Sequence, residues 1–256
     1  MNNNRTLHDA ARLALACLDL TSLNDADTAA DIEALCRRAQ TAHGPVAAVC
    51  VWPRFVAQAR AALPAGIRVA AVANFPEGEV DLTRAVADIE LIALGGGDEV
   101  DVVLPYRALM EGRRDEVAEF LSEVREASRP LVLKVIIESG ELKTAELVAE
   151  ATRMALAAGA DFVKTSTGKT PVSATLQAAG VMLKTIEASG MRHAGFKASG
   201  GIRTVADARE YLQLAEAWLG EAALNPRRLR IGASGLLNDI EAVLGGGAGS
   251  VEPGSY

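Results

Sequence analysis

The sequence contains no apolar run approaching the ~20 residues that a bilayer-crossing helix requires, so no membrane span is expected. Its first ten residues, Met1 to Ala10, are polar and lack the apolar segment of a secretory signal. Cysteine is scarce: Cys17, Cys36 and Cys50 are an odd count without metal-ligand spacing. This argues against a disulfide framework and fits reduced thiols in a cytoplasmic protein. Cys17 and Cys36 read as packing thiols, and Cys50 as a strand residue facing either the core or a barrel mouth. The three histidines, His8, His43 and His193, fall in loop or terminal positions and form no metal-ligand cluster. The sequence therefore calls for no metal and no cofactor. It also lacks a long lysine and arginine run. A net charge of −7 repels nucleic acid unless a local basic patch intervenes. The densest basic group, Arg227, Arg228 and Arg230, reads as a solvated face. No linker or low-complexity tract divides the 256 residues. One domain over 1–256 is expected, with 245–256 as a flexible tail.

What is present is an alternation. Half of the residues are hydrophobic, enough for a large core in a chain of this length. Eight short apolar runs read as strands: Ala14–Leu20, Val46–Val51, Arg68–Ala73, Glu99–Leu104, Leu131–Ile137, Phe162–Lys164, Gly195–Lys197 and Arg230–Gly232. Stretches of helical spacing follow them, opened by Thr28 with Asp31, by Ser173, and by Thr204 with Asp207. Strand then helix, eight times over, predicts a parallel sheet closed into a (β/α)8 TIM barrel with a short N-terminal helix. An open doubly wound sheet is the structural alternative.

In such a barrel the C-terminal ends of the strands carry the chemistry. Lys134, Lys164 and Lys197 stand on the fifth, sixth and seventh runs, and Asp101 on the fourth. Lysine is almost never fully buried without a partner, so the four groups are expected to converge on one mouth. Two ammonium groups at ~6 Å repel by roughly 2.8 kcal/mol at an effective dielectric near 20. That lowers one pKa by about 2 units. The resulting neutral amine can attack a carbonyl to form an imine. Glycine-rich turns at Gly200-Gly201 and Gly232-Ala233-Ser234-Gly235 expose backbone N–H groups where barrels frequently hold a phosphate. A carbonyl compound bearing a phosphate fits both features, with no nucleic acid and no membrane as partner. A homo-oligomer, with a dimer favoured, is also expected.

The same residues resemble the deoxyribose-phosphate aldolases, class I enzymes. The resemblance runs from Leu18-Asp19-Leu20-Thr21 through Glu99-Val100-Asp101-Val102-Val103, Leu133-Lys134-Val135-Ile136 and Phe162-Val163-Lys164-Thr165-Ser166-Thr167-Gly168. It ends in Gly195-Phe196-Lys197, Gly200-Gly201-Ile202-Arg203 and Ile231-Gly232-Ala233-Ser234. It implies a small sugar phosphate and an aldehyde as partners, with cleavage of 2-deoxy-D-ribose 5-phosphate to acetaldehyde and D-glyceraldehyde 3-phosphate through a Schiff base on Lys164. Lys197 would be the lysine that depresses the pKa of Lys164, and Asp101 would share in proton transfer. Gly168, Lys169, Gly200, Gly201, Ser234 and Gly235 would lie at the phosphate. Asp19 and Thr21 would face the sugar hydroxyls or a water network, with Lys134 and Thr165 nearby. Tyr256 would close over the intermediate. The chain departs from relatives of the enterobacterial type in two places: Ala198-Ser199 replaces Pro-Ala, and Gly235 replaces a second serine. The alternative is another lysine-dependent sugar-phosphate aldolase or a transaldolase.

Overall fold

The computed structural model describes residues 5–247. Eight strands close into a parallel barrel in sequence order: β1 (Leu18–Thr21), β2 (Ala48–Val51), β3 (Arg68–Ala73), β4 (Glu99–Val103), β5 (Val132–Ile136), β6 (Phe162–Lys164), β7 (Gly195–Ser199) and β8 (Leu229–Ala233). β8 pairs with β1 to complete the ring, Leu18 opposite Ile231 and Asp19 opposite Gly232. The open doubly wound sheet is excluded by this closure.

Around the barrel run α1 (Leu7–Ala16), α2 (Ala29–Arg38), α3 (Val56–Ala62), α4 (Leu82–Leu94), α5 (Tyr106–Met110), α6 (Arg114–Ala127), α7 (Ser139–Leu142), α8 (Ala145–Ala157), α9 (Leu176–Ala188), α10 (Val205–Leu219) and α11 (Leu236–Leu244). Thr28 with Asp31 and Thr204 with Asp207 form capping boxes, each threonine accepting the N3 backbone N–H while the aspartate accepts the cap N–H. Thr6 with Asp9 does the same for α1. None of the described helices is long and apolar enough to cross a membrane.

Three details differ from the sequence expectation. Ala14 to Ala16 end α1 rather than begin β1. Ala10, Ala11, Ala14 and Leu15 are buried on one face with helical, not alternating, spacing. His8, in the first turn of the same helix, keeps the exposed terminal position expected of it. The cap of α9 is Thr175, not Ser173, with its side chain accepting from Ala178 N. Arg230 is not on a solvated face. It is 5% exposed and points into the barrel.

The outward positions of the strands pack apolar side chains against the helices, while several inward positions are charged. Two inward positions on neighbouring strands are glycine because larger side chains cross the barrel there. A Cβ on Gly195 would lie 2.4 Å from the Phe162 ring, and one on Gly232 would lie 2.7 Å from Ser199 Oγ and 3.0 Å from Lys197 Cε.

Candidate active site

Lys134, Lys164, Lys197, Asp101 and Asp19 meet inside the barrel, all at most 2% exposed. Parallel register sets this up: Lys164 pairs with Lys197 across β6–β7, and Asp101 with Lys134 across β4–β5. Asp101 is the hub. Its Oδ2 accepts from Lys164 Nζ at 2.7 Å and from Lys197 Nζ at 2.7 Å, and its Oδ1 accepts from Lys134 Nζ at 2.8 Å. Lys197 also donates to Asp19 Oδ2 at 2.5 Å, and Lys134 pairs with Glu99 at 2.5 Å. Lys164 has one carboxylate contact where the other two lysines have two or more.

That asymmetry sorts the three amines. Burial penalises every ammonium here. For Lys197 it is outweighed by Asp101 and Asp19, and for Lys134 by Asp101 and Glu99, so both are raised above the ordinary lysine value. For Lys164, burial and then the charge of Lys197 overcome the single carboxylate, and the pKa falls. Burial, rather than lysine–lysine repulsion, is thus the larger cause. Asp101 and Asp19 are held well below the usual carboxylate range, because the cations around them outweigh burial. The Cys50 thiol lies inside the barrel, 4.0 Å from Asp101 Oδ2, and burial pushes its pKa up.

Above the lysines, at the C-terminal ends of the strands, opens a cavity of about 590 Å³. Thr21, Gly168, Lys169, Gly200, Gly201, Ser234 and Gly235 line it. Gly168, Gly200 and Gly201 have φ of 80°, 88° and 82°, a left-handed backbone that side chains rarely adopt. Successive N–H groups in that conformation make an anion cradle. The N-terminus of α11 begins at the same rim with no side-chain cap, leaving its N–H groups available. Lys169 reaches across the mouth to donate to Leu23 O at 2.7 Å.

Not every residue singled out in the sequence reaches this cavity: Lys134, Lys164, Lys197 and Asp101 come together below its lining rather than at the mouth itself. Asp19 is fully buried below it, both oxygens engaged by Lys197 and Arg230. Thr165 is also buried, with its hydroxyl tying β6 to Ser199 O and Ser199 N of β7. Thr21 donates its hydroxyl to Asp19 O. Tyr256 lies outside the described residues. Conversely, sequence reasoning missed Thr167, Ser199 and Arg203 on the lining, as well as the part played by Glu138. Glu138, buried and at φ 52°, accepts from the Thr167 N–H and hydroxyl and so shapes the turn after β6. Burial raises its pKa against those bonds. Its signal was a charged residue closing an apolar strand. Among the described residues no group of three His, Cys, Asp or Glu side chains is placed to hold a metal ion.

Residues 13–241 match the model of the DeoC/LacD family aldolases. A curated deoxyribose-phosphate aldolase of Agrobacterium fabrum (strain C58 / ATCC 33970) is 50% identical over 242 residues, covering 93% of each chain. Among solved structures, an assigned deoxyribose-phosphate aldolase of Toxoplasma gondii ME49 superposes with a TM-score of 0.86 at 25% identity, over 94% of this chain and 97% of that one. One from Coccidioides immitis gives 0.78 at 29% identity, over 89% and 85%.

Proposed function

The chain belongs to the DeoC/LacD family of aldolases, and on that premise we propose that it cleaves 2-deoxy-D-ribose 5-phosphate reversibly into acetaldehyde and D-glyceraldehyde 3-phosphate, with Lys164 as the Schiff-base nucleophile. The observation that carries the reading is the division of labour among three buried lysines. Two are locked as ammonium by paired carboxylates, and the third is held by one and biased towards the free amine.

Neutral Lys164 attacks C1 of the open-chain aldehyde. Loss of water from the carbinolamine leaves a protonated imine. A base removes the proton of the C3 hydroxyl, the C2–C3 bond breaks, and its electron pair moves towards the imine nitrogen. D-glyceraldehyde 3-phosphate leaves, and an enamine stays on Lys164. Protonation at C2 and hydrolysis of the imine release acetaldehyde and restore the amine. Asp101 and Lys197, a carboxylate and an ammonium in contact beside Lys164, are placed to move these protons through a water. The phosphate would sit on the N–H groups of Gly200, Gly201 and the start of α11, with Ser234 and Lys169 beside it. Lys134 would hold Asp101 in place. We further propose a homodimer in the cytoplasm. Leu94, 87% exposed on α4 near the half-exposed Leu91, offers an apolar face for self-association, and sedimentation would measure it.

The test is reductive trapping. Acetaldehyde plus borohydride should add one ethyl group to the protein, located by peptide mass spectrometry on Lys164. Label on Lys134 or Lys197 instead would overturn the assignment. Turnover of other phosphorylated aldols without any of deoxyribose 5-phosphate would move the chain to a different aldolase.

A further inference from the structure

The lysine cluster is the upper half of a longer charge network. Below it, Arg230 Nη1 donates to Asp19 Oδ1 at 2.6 Å, and the same guanidinium forks onto Glu99 at 3.0 and 2.6 Å. Glu99 in turn holds Lys134. Arg230 rests over the Phe162 ring, 5.6 Å from its centroid. Arg230 and Glu99 line a separate cavity of about 660 Å³ at the N-terminal ends of the strands, opposite the mouth that would receive substrate. The network therefore runs the length of the barrel, from Arg230 through Asp19 and Lys197 to Asp101 and Lys164.

The cluster's charge depends on one proton. Its contacting members are four cations, Lys134, Lys164, Lys197 and Arg230, and three anions, Asp19, Glu99 and Asp101. With Lys164 protonated the group carries one excess positive charge in a buried space. With Lys164 neutral it is balanced. Unbalanced buried charge is costly, so the composition of the whole cluster, and not its nearest lysine alone, favours the free amine.

We propose that Arg230 and Glu99 are positioning residues that set the charge of Lys164 from the far end of the barrel. This rests on the reading of Lys164 as nucleophile and deepens it. Arg230, Lys197 and Lys164 share one register row across β8, β7 and β6. Two strand spacings of about 4.8 Å separate the backbones of Arg230 and Lys164, and for charges ~10 Å apart at an effective dielectric near 20 the interaction is worth about one pH unit. Other charged groups facing Lys164 are Asp101, Lys134, Lys197 and Asp19 within the cluster, and Cys50 and Glu138 outside it. None of these is itself replaced when Arg230 or Glu99 is changed, and Asp19 and Lys134, which touch the replaced groups, carry the change towards Lys164.

The experiment is the pH dependence of borohydride-trapped acetaldehyde adduct on Lys164, alongside the acid limb of kcat/KM. Arg230→Met removes a positive charge while keeping an unbranched side chain. It should move both midpoints up by about one pH unit. Glu99→Gln removes a negative charge and should move them down. Arg230→Lys keeps the charge and should return the midpoint towards the wild type, even if its stability is lowered. Unfolding midpoints of each variant identify the pH range in which it is folded. A purely structural role, the usual one at this end of a barrel, would lower stability and leave the midpoints where they are. Unmoved midpoints, shifts of one sign in both charge-removing variants, or Arg230→Lys behaving like Arg230→Met would each overturn the proposal. Absence of adduct on Lys164 in the wild type would instead overturn the reading of the nucleophile.

Discussion

Replacing Gly232 by alanine tests how tightly Lys197 must be placed. The added Cβ would lie 3.0 Å from Lys197 Cε and 2.7 Å from Ser199 Oγ, where ordinary contacts begin at 3.4 Å. Those atoms must retreat by roughly half an ångström to reach a normal separation. Lys197 Nζ cannot follow freely, because it is held at 2.5 Å by Asp19 and 2.7 Å by Asp101. Either the bonds stretch, or the strand shifts. Overpacking of this kind costs about 1–3 kcal/mol, which in a chain of this size lowers Tm by roughly 2–4 °C for each kcal/mol. Misplacing a proton-handling group by a fraction of an ångström should cut kcat by about tenfold or more. Gly180→Ala is the control, since nothing lies within 4 Å of its Cβ and it sits within α9, away from the cavity. Retro-aldol turnover and thermal unfolding of both variants decide the matter. Wild-type kcat in Gly232→Ala would show that the tight seat of Lys197 does not matter to the reaction, and the argument from contact distances would fail.

Lys197→Leu removes the second cause of the lowered Lys164 pKa and leaves Asp101 to favour the ammonium. The neutral amine then appears only at higher pH, so the optimum should rise. An unchanged pH–rate profile would show the two lysines to be uncoupled. Gly201→Glu puts a like charge at the anion cradle and should raise KM for the phosphorylated substrate far more than for unphosphorylated deoxyribose. Gly201→Ala strains the same φ of 82° without the charge and separates the two effects. Exhaustive chelation should leave full activity, because the imine supplies the electron sink. A loss restored only by a divalent cation would refute the Schiff-base reading.

The barrel was legible because its two periodicities do not overlap. The strands at Arg68–Ala73 and Phe162–Lys164 match their apolar runs, since a run followed by turn residues and a capping aspartate or threonine has few other ways to fold. The start of β1 was not legible. Ala14, Leu15 and Ala16 are apolar in either element, and alanine favours the helix they complete. The choice is made by packing, with α1 lying beside α10 and α11, roughly two hundred positions or more along the chain. The cap at Thr175 instead of Ser173 is a local ambiguity between two competent hydroxyls.

The site was half legible for a related reason. Lys134, Lys164, Lys197 and Asp101 stood out because charge interrupts an apolar strand. By the same test Glu99 and Arg230 also stood out, yet neither was counted. Glu99 opens its strand and Arg230 follows two other arginines, so both read as ends or surface. Their placement follows from the period of two. Asp101 faces inward, so Glu99 does as well, and Gly232, which leaves space for Lys197, puts Arg230 on the same inner face. In a parallel barrel the helices cover the outer face with apolar contacts, which frees the inner face to be polar. Charged residues inside persist most readily as a nearly balanced set, because an unpaired buried charge is costly. A lone lysine on an inner face therefore implies its carboxylates, and those imply further cations, down to the opposite mouth. Four cations and three anions balance when one amine is neutral, and Lys164, with its single carboxylate contact, is the one the proposed reaction would use.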